Sequence, residues 1–261
     1  MTSTLENSRI AVSVGYDGSG FQGWQVQPGM RTVQHEIEKA FGLLCASEPP
    51  RIHGSGRTDT GVHARGQVFH IDPTRDFSPQ RWQDALNGVL PEDIRVFSVR
   101  KVAADFHARF DAVKKQYRYY IFHAPVMPPE LRGTRHHVRK SLNRVAMREA
   151  AAILQGTHDF LSFSANRGKP EQSTERTLSR MELTEQGPEL CLIAEADGFM
   201  YKMVRQLAGA LMRVGLGELA PADILKLLEQ PERNHLAPTA PAQALFLWQV
   251  SYPEWKSNER I

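Results

Sequence analysis

The sequence predicts an α+β fold of two tandem halves, each with the element order β-α-β-β-α-β. Three observations support it: apolar residues alternate in short strand-like runs, longer runs carry helical stripes behind capping residues, and the same order of elements returns after residue 113. Such units suggest two ferredoxin-like halves whose antiparallel sheets join edge to edge. We expect a first domain at residues 1–104, a linker at 104–113 and a second domain at 114–261.

The first half begins with an alternating strand at residues 9–16, followed by the glycine-rich loop DGSGFQGWQVQPGM. Thr32 is the predicted cap of the helix VQHEIEKAFGLL. The remaining predicted elements are a short strand leading into Asp59, a strand at 66–72, a helix from Pro79 capped by Ser78, and a strand at 94–103.

The second half begins with a strand at 115–123, followed by a helix at 141–155. The later predicted elements are strands at 177–185 and 189–197, a helix at 200–215, a shorter helix at 222–230 and a last strand at 244–252. Arg205 falls inside the largely apolar helix, so a half-buried cation is expected there.

The composition, with 41% hydrophobic and 23% charged residues, is that of an ordinary soluble globular protein. The N-terminus is polar, and no apolar run reaches membrane length, so we expect no secretory signal, no membrane span and a cytoplasmic protein. Charge is uneven along the chain. Residues 100–148 hold twelve Lys or Arg and three acids, a net of +9 against +3 for the whole chain. This basic window indicates either a polyanion-binding face or an ordinary solvated face.

The sequence lacks the motifs of several common catalytic and binding sites. The sequence contains no GxxxxGK[ST], HExxH, CxxC or GxSxG pattern, so nucleotide-loop, metal and serine-hydrolase sites are not indicated. His53, His63 and His70 surround the segment HGSGRTDTG. One of them could serve as a base, but structural histidines are the more common case.

Two segments carry the candidate chemistry. Asp59 stands between arginine, threonine and glycine in GRTDTG, where it is either a reagent or a turn former. The strand KKQYRYY interleaves tyrosines with cations, as single-stranded RNA binders do. Tyr119 and Ile121 are expected in the core, whereas Tyr117, at the start of the strand, is expected to be less buried and to reach a cleft.

At this point the chain resembles the TruA-type tRNA pseudouridine synthases. GRTDTGVHA resembles their catalytic signature, with Thr60 where the family often has alanine. The other segments that resemble the family, in its order, are YDGSGFQGWQ, NGVLPEDIRV, DFHARFDAVKKQYRYYI, FMYKMVRQLAGALMRVG and ALFLWQVSYP. The resemblance covers nearly the whole chain and is loose at 125–140 and 164–175.

The resemblance implies an enzyme that converts uridines 38–40 of the tRNA anticodon stem-loop to pseudouridine, without cofactor or metal. It implies a homodimer, with the two halves of each chain joined across a central basic cleft. It also implies residue roles: Asp59 as nucleophile, Tyr117 as the base-stacking tyrosine, Arg205 as the active-site arginine, Arg57 as a further arginine of the signature, and Leu245 as an apolar residue under the uracil.

The chemistry of the residues is compatible with those roles. Isomerising uridine requires no hydride carrier or triphosphate; it requires an ionised carboxylate that attacks the sugar C1′ or the uracil C6, and the sequence leaves both open. Arg205 is expected to keep that carboxylate charged. Two alternatives remain, a non-catalytic RNA-binding protein of this fold and a synthase of the same family that acts on another RNA.

Overall fold

The computed structural model describes residues 9–166, 168 and 173–253. It confirms a mixed α+β fold, with helices packed on strands that pair mostly antiparallel. Two compact units are present: the described residues of Met1–Val113 with those of Leu247–Ile261, and Lys114–Phe246. The second unit begins at residue 114, and the described residues from Leu247 to Pro253 belong to the first unit.

The first unit has the predicted element order. Its elements are β1 (Ile10–Tyr16), α1 (Val33–Cys45), β2 (His53–Gly54), β3 (His63–Ile71), α2 (Pro79–Val89) and β4 (Ile94–Lys101). Strand β1 pairs antiparallel with β3 on one side and with β4 on the other, and β2 adds to β3. The side chains of Thr32 and Ser78 accept hydrogen bonds from the first turns of α1 and α2, which confirms both predicted caps.

Two features of the first unit differ from the prediction. Strand β2 ends at Gly54, so no strand leads into Asp59; the chain leaves the sheet before the signature and returns at β3. Residues 104–113, predicted as a linker, belong to the first unit. Phe106 is buried there against the ring of Tyr252, and the Tyr252 hydroxyl donates to the carbonyl oxygen of Ala108 at 2.6 Å.

The second unit contains more strands than predicted. Its elements are β5 (Lys114–Phe122), β6 (His136–His137), α3 (Arg144–Ile153), β7 (Gly156–Asp159), β8 (Glu175–Gln186), β9 (Glu189–Ala196), α4 (Met203–Gly215) and α5 (Pro221–Glu229). The strands run in the order β5-β9-β8-β7 in antiparallel pairs, and β6 pairs parallel with β5. Strand β10 (Leu245–Ser251) begins in this unit and ends in the first, where it lies beside β3. The short strands β6 and β7 have too few residues to show an alternating pattern.

Helices α3 and α4 begin three residues later than predicted, at Arg144 and Met203. At α3, the side chain of Asn143 caps the first turn by accepting from the N–H of Ala146 at 3.0 Å. At α4, Lys202 has a left-handed backbone with φ of +59°, which a helix cannot continue through. None of the helices in the described part of the chain is long and apolar enough to cross a membrane.

Candidate active site

Asp59 lies in the loop between β2 and β3, with its side chain partly exposed. Main-chain hydrogen bonds hold the loop on both sides of it. The N–H of Trp24 donates to the carbonyl oxygen of Thr58 at 3.1 Å, and the N–H of Val62 donates to that of Asp59 at 3.1 Å. Arg57 is exposed on the same loop. The carboxylate is therefore presented from a fixed backbone, as a reactive group requires.

The glycine-rich loop after β1 packs directly against this segment. Gly23 has φ of +80°, and a Cβ at that position would lie 2.7 Å from the carbonyl oxygen of Thr58 and 3.2 Å from the carbonyl carbon of Asp59. Glycine alone permits both the conformation and the approach. Gly23 of the glycine-rich loop therefore allows the backbones of the two segments to lie in direct contact next to Asp59.

Buried side chains complete the support of the loop. The hydroxyl of Tyr16 lies 2.8 Å from Oγ1 of Thr58. Gln67 donates from Nε2 to the carbonyl oxygen of Gly56 at 2.8 Å and accepts from Oγ of Ser55 at 2.6 Å. None of these supporting roles was predicted from the sequence. A signal was available at Gln67, a polar residue directly before the apolar residues Val68 and Phe69 in the predicted strand at 66–72.

Two of the three nearby histidines are structural acceptors. Nδ1 of His63 accepts from the N–H of Gly18 at 3.1 Å, and Nδ1 of His70 accepts from the N–H of Ala108 at 3.1 Å. Both side chains are buried. Burial, reinforced by His107, lowers the pKa of His70 to about 4, so this imidazole is neutral near pH 7. His53 is exposed and stacks on His70 with ring centroids 5.0 Å apart.

Tyr117 lies on β5 in the second unit and is more buried than expected. Tyr117 is 8% exposed. Its ring packs edge to face with the ring of Phe199, and the two ring centroids are 5.1 Å apart. Tyr119 and Ile121, on the same face of the strand, are fully buried, as predicted. Tyr117 keeps more surface than Tyr119 and Ile121, as expected of the start of the strand, but it is still buried, with Phe199, just before α4, packed against its ring.

Arg205 is half-buried on α4, as predicted, and its side chain is directed by the segment before β10. Its Nε donates to the carbonyl oxygen of Ala240 at 2.7 Å. Burial raises the pKa of the Tyr119 phenol, and the positive charge of Arg205 opposes that rise, which places the guanidinium within electrostatic reach of β5. Arg205 thus belongs to the same part of the second unit as Tyr117.

The same face of α4 meets this segment at two further positions. A Cβ on Gly209 would lie 1.9 Å from the carbonyl oxygen of Pro238. One helical turn further, Nη1 of Arg213 lies 3.4 Å from the carbonyl oxygens of His235 and Leu236. The positions 205, 209 and 213 follow one another at four-residue spacing along one side of the helix. This contact was not predicted, because the segment has no periodic pattern.

Leu245 is buried at the first position of β10. The turn Ala242–Ala244 before it packs beside β5. Of the predicted site residues, Arg57 and Asp59 lie together on one loop of the first unit. Tyr117, Arg205 and Leu245 lie in the second unit, around β5, α4 and the segment that precedes β10.

Several cations of the basic window at residues 100–148 form ion pairs with acids from other parts of the chain. At least five of its cations have acidic partners among the described residues: Lys101 with Asp76, Lys114 with Glu195, Arg135 with Glu189, and both Arg144 and Arg148 with Glu185. Arg132, Arg139 and Lys140 are exposed, and no ion pair with an acid joins them within the described part of the chain. These three cations, together with Arg109, which is exposed beside the ring of Phe110, are the better candidates for phosphate contact.

Among the described residues, no group of three or more His, Cys, Asp or Glu could hold a metal ion.

The chain is similar to known proteins over most of its length. The family model described as tRNA pseudouridine synthase matches residues 12–111 and 150–253. The tRNA pseudouridine synthase A of Oceanobacillus iheyensis is 40% identical over 250 residues, which cover 96% of this chain and 99% of that protein. Those of Geobacillus kaustophilus and Bacillus subtilis are 43% and 42% identical, over 94% of this chain and 95% and 99% of theirs. A Cbf5–Nop10–Gar1 crystal structure aligns with a TM-score of 0.35 at 13% identity over 78% of this chain and 45% of that one, too weakly to bear on the fold.

The chain combines an α+β fold with a partly exposed carboxylate on a loop that Gly23 backs. The family match covers well over half of the chain, and the relatives are aligned over almost their full length. The chain belongs to the tRNA pseudouridine synthase family, and it is an isomerase that acts on tRNA.

Proposed function

We propose that this enzyme converts uridines 38–40 of the tRNA anticodon stem-loop to pseudouridine, with Asp59 as the nucleophile. The observation that carries the proposal is the placement of Asp59. Its carboxylate is partly exposed on a loop whose backbone is bonded on both sides and backed by Gly23. A turn aspartate needs no such support, whereas a reagent must keep one direction.

The reaction needs little beyond a carboxylate and a correctly placed base. The bond from N1 to C1′ breaks, the uracil rotates, and C5 bonds to C1′. The proton that C5 loses is balanced by the one that N1 gains, so no oxidant or reductant takes part. Asp59 attacks either C1′ or C6, and both routes satisfy this balance.

The other proposed roles follow the resemblance and are supported by the placement of each residue. Tyr117 contacts the flipped uracil, a role that the resemblance implies and that suits an aromatic ring fixed on β5 by its contact with Phe199. Arg205 acts as the active-site arginine, since a carbonyl group directs its half-buried guanidinium. Leu245 offers a buried apolar surface, and Arg57, which is exposed, contacts the RNA. Extruding the target nucleotide costs a few kcal/mol, which stacking partly offsets.

We further propose that the enzyme is a homodimer that binds the anticodon stem-loop and works in the cytoplasm. The resemblance supports the dimer, and the bacterial relatives named for tRNA modification support the compartment. A protein that binds RNA without catalysis is the second candidate. A fixed carboxylate counts against it, since a negative charge near phosphates weakens binding.

The test compares Asp59→Asn with Asp84→Asn, a control that removes an exposed carboxylate from α2 of the same unit. Each purified variant is incubated with tRNA that lacks pseudouridine, and the modification is mapped by nucleotide position. We expect product at positions 38–40 from wild type and Asp84→Asn, none from Asp59→Asn, and similar tRNA binding by all three. Turnover by Asp59→Asn beyond a deamidated fraction would refute the nucleophile. Product only in another RNA would refute the proposed target.

A further inference from the structure

Four polar residues form a buried cluster behind the loop that carries Asp59. We call Tyr16, Ser55, Thr58 and Gln67 the loop support. Their exposed fractions are 5%, 0%, 6% and 0%. Burying polar groups costs free energy unless they are hydrogen-bonded, so a cluster of this kind is retained only where its bonds are made.

Tyr16 and Thr58 hold the residue that immediately precedes Asp59. The phenol of Tyr16, at the end of β1, lies 2.8 Å from Oγ1 of Thr58, and the main chain of Thr58 accepts from the N–H of Trp24 at 3.1 Å. Side chain and backbone of Thr58 are therefore both fixed. The direction in which the chain enters Asp59 is fixed with them.

Gln67 secures the start of the same loop from β3. Its Nε2 donates to the carbonyl oxygen of Gly56 at 2.8 Å, while its Oε1 accepts from Oγ of Ser55 at 2.6 Å and from the N–H of Val68 at 3.2 Å. The amide thus bonds the loop at two consecutive residues. It adds to the main-chain bond that the N–H of Ser55 still donates to the carbonyl oxygen of Val68 at 2.7 Å.

We propose that Tyr16 and Thr58 are positioning residues for pseudouridine formation, whose paired hydroxyls hold the Asp59 carboxylate in its reactive direction. This inference rests on the proposed role of Asp59 as nucleophile. Neither hydroxyl acts on the substrate; each acts through the backbone of Asp59. A displacement of about 1 Å at a reacting group can lower the rate by roughly a hundredfold, so the support is expected to affect turnover more than binding.

The chemical state of the pair suits this role. Burial raises the pKa of the Tyr16 phenol, although bonds to Thr58 and Gln67 oppose the rise, so the hydroxyl keeps its proton throughout the neutral range. Because both hydroxyls are neutral, the hydrogen bond between Tyr16 and Thr58 does not change with pH in the neutral range. Tyr16→Phe and Thr58→Val are accordingly the smallest changes that break the bond while keeping the shape of both side chains.

The experiment compares Tyr16→Phe with Tyr252→Phe. Tyr252 is 3% exposed in the same unit, and its hydroxyl makes a buried bond of the same kind, to Ala108, away from the Asp59 loop. The measurements are kcat, KM, tRNA affinity and melting temperature. We expect Tyr16→Phe and Thr58→Val to lower kcat by roughly ten- to a hundredfold with KM and tRNA affinity unchanged. Tyr252→Phe should lose comparable thermal stability and keep its kcat.

Two further variants make the result decisive. Thr58→Ser keeps the hydroxyl and should restore most of the kcat that Thr58→Val loses. The double variant Tyr16→Phe with Thr58→Val should lower kcat little more than either single substitution, because both substitutions remove the same hydrogen bond. Wild-type kcat in a folded Tyr16→Phe, or an equal loss of kcat in Thr58→Ser and Thr58→Val, would overturn the proposal.

Asp59→Asn, assayed in parallel, separates this inference from the proposed function. If Asp59→Asn is active, Asp59 is not the nucleophile, and the inference falls with the proposed function. An inactive Asp59→Asn beside a fully active Tyr16→Phe overturns the positioning role alone.

Discussion

Arg205 and Ala240 are joined by two hydrogen bonds in opposite directions. Nε of Arg205 donates to the carbonyl oxygen of Ala240 at 2.7 Å, and the N–H of Ala240 donates to the carbonyl oxygen of Arg205 at 3.1 Å. A carbonyl oxygen directs a guanidinium without cancelling its charge. The segment before β10 is therefore the element that sets the direction of the proposed active-site arginine.

Gly209→Ala tests that dependence. The added Cβ would lie 1.9 Å from the carbonyl oxygen of Pro238, two residues before Ala240, so the segment must move. We expect a loss of about 1–3 kcal/mol of stability from the overpacking, and a lower kcat because Arg205 loses its fixed partner. Urea unfolding and steady-state kinetics measure the two effects.

Gly88→Ala is the matched control. Gly88 lies in α2, and a Cβ there meets nothing within 4 Å. This change should raise stability by about 0.5–1 kcal/mol and leave kcat unchanged, because alanine favours the helix. If Gly209→Ala keeps wild-type kcat in its folded fraction, the segment does not position Arg205.

Tyr117 should show both a packing effect and a catalytic effect. Tyr117→Phe keeps the ring against Phe199 and should bind tRNA normally; its rate reports whether the hydroxyl takes part. Tyr117→Leu should lose about 1–3 kcal/mol of stacking on the base and, since the ring is 8% exposed, should also melt earlier. Thermal melting and single-turnover rates separate these two losses.

Phe160→Leu provides the comparison for packing. Phe160 is fully buried in the same unit, against Phe163 and His158. The variant Phe160→Leu should lose stability as Tyr117→Leu does, but it should keep the wild-type rate per folded molecule. Should Tyr117→Leu behave in the same way as Phe160→Leu, Tyr117 is a core residue and has no role in base binding.

Salt dependence identifies the cations that bind phosphates. Arg139→Ala with Lys140→Ala removes two exposed charges, and the slope of log affinity against log salt should fall by about 0.9 for each phosphate that the variant no longer neutralises. The control pair is Arg144→Ala with Arg148→Ala, whose guanidinium groups are already engaged by Glu185. Equal effects of the two pairs on the slope would show that ion pairing within the chain does not decide which cations bind RNA.

The α+β class, the first-unit element order and the buried face of β5 were predictable, because their patterns are local and periodic. The caps at Thr32 and Ser78 were predictable for the same reason, since the cap residue and the helix it serves are adjacent. The late start of α4 was not predictable, because nothing in the residue type of Lys202 indicates a left-handed backbone.

The support of the site was the least predictable part. Asp59 was a candidate from its neighbours in sequence and from the resemblance, but Tyr16 lies 42 residues from Thr58 and Ala240 lies 35 residues from Arg205. Bonds of that separation exist only once the chain has folded. The contact of Tyr117 with Phe199, 82 residues further along the chain, is of the same kind.

Acid should destabilise the first unit through His70. This imidazole, with His53 and His107 around it, is surrounded by the ionic groups of Arg9 and Asp72. Burial lowers its pKa from 6.5 to about 4, and the neighbouring His107 and Arg9 contribute in the same direction. The unfolded chain therefore binds a proton between those two values that the folded chain does not. Stability should fall as pH is lowered through that range, by about 1–2 kcal/mol between pH 7 and 5 from this residue.

His70→Asn isolates the effect, because an amide oxygen can still accept from the N–H of Ala108 but does not titrate in this range. Urea unfolding followed by tryptophan fluorescence measures it, since Trp24 and Trp82 are buried in the first unit. His70→Asn should be less stable than wild type at pH 7, and the difference should shrink toward pH 5. The pKa of His107 is also lowered, mainly by burial, so a smaller dependence should remain in the variant. An unchanged pH dependence in His70→Asn would mean that His70 is protonated in the folded protein as readily as in the unfolded chain.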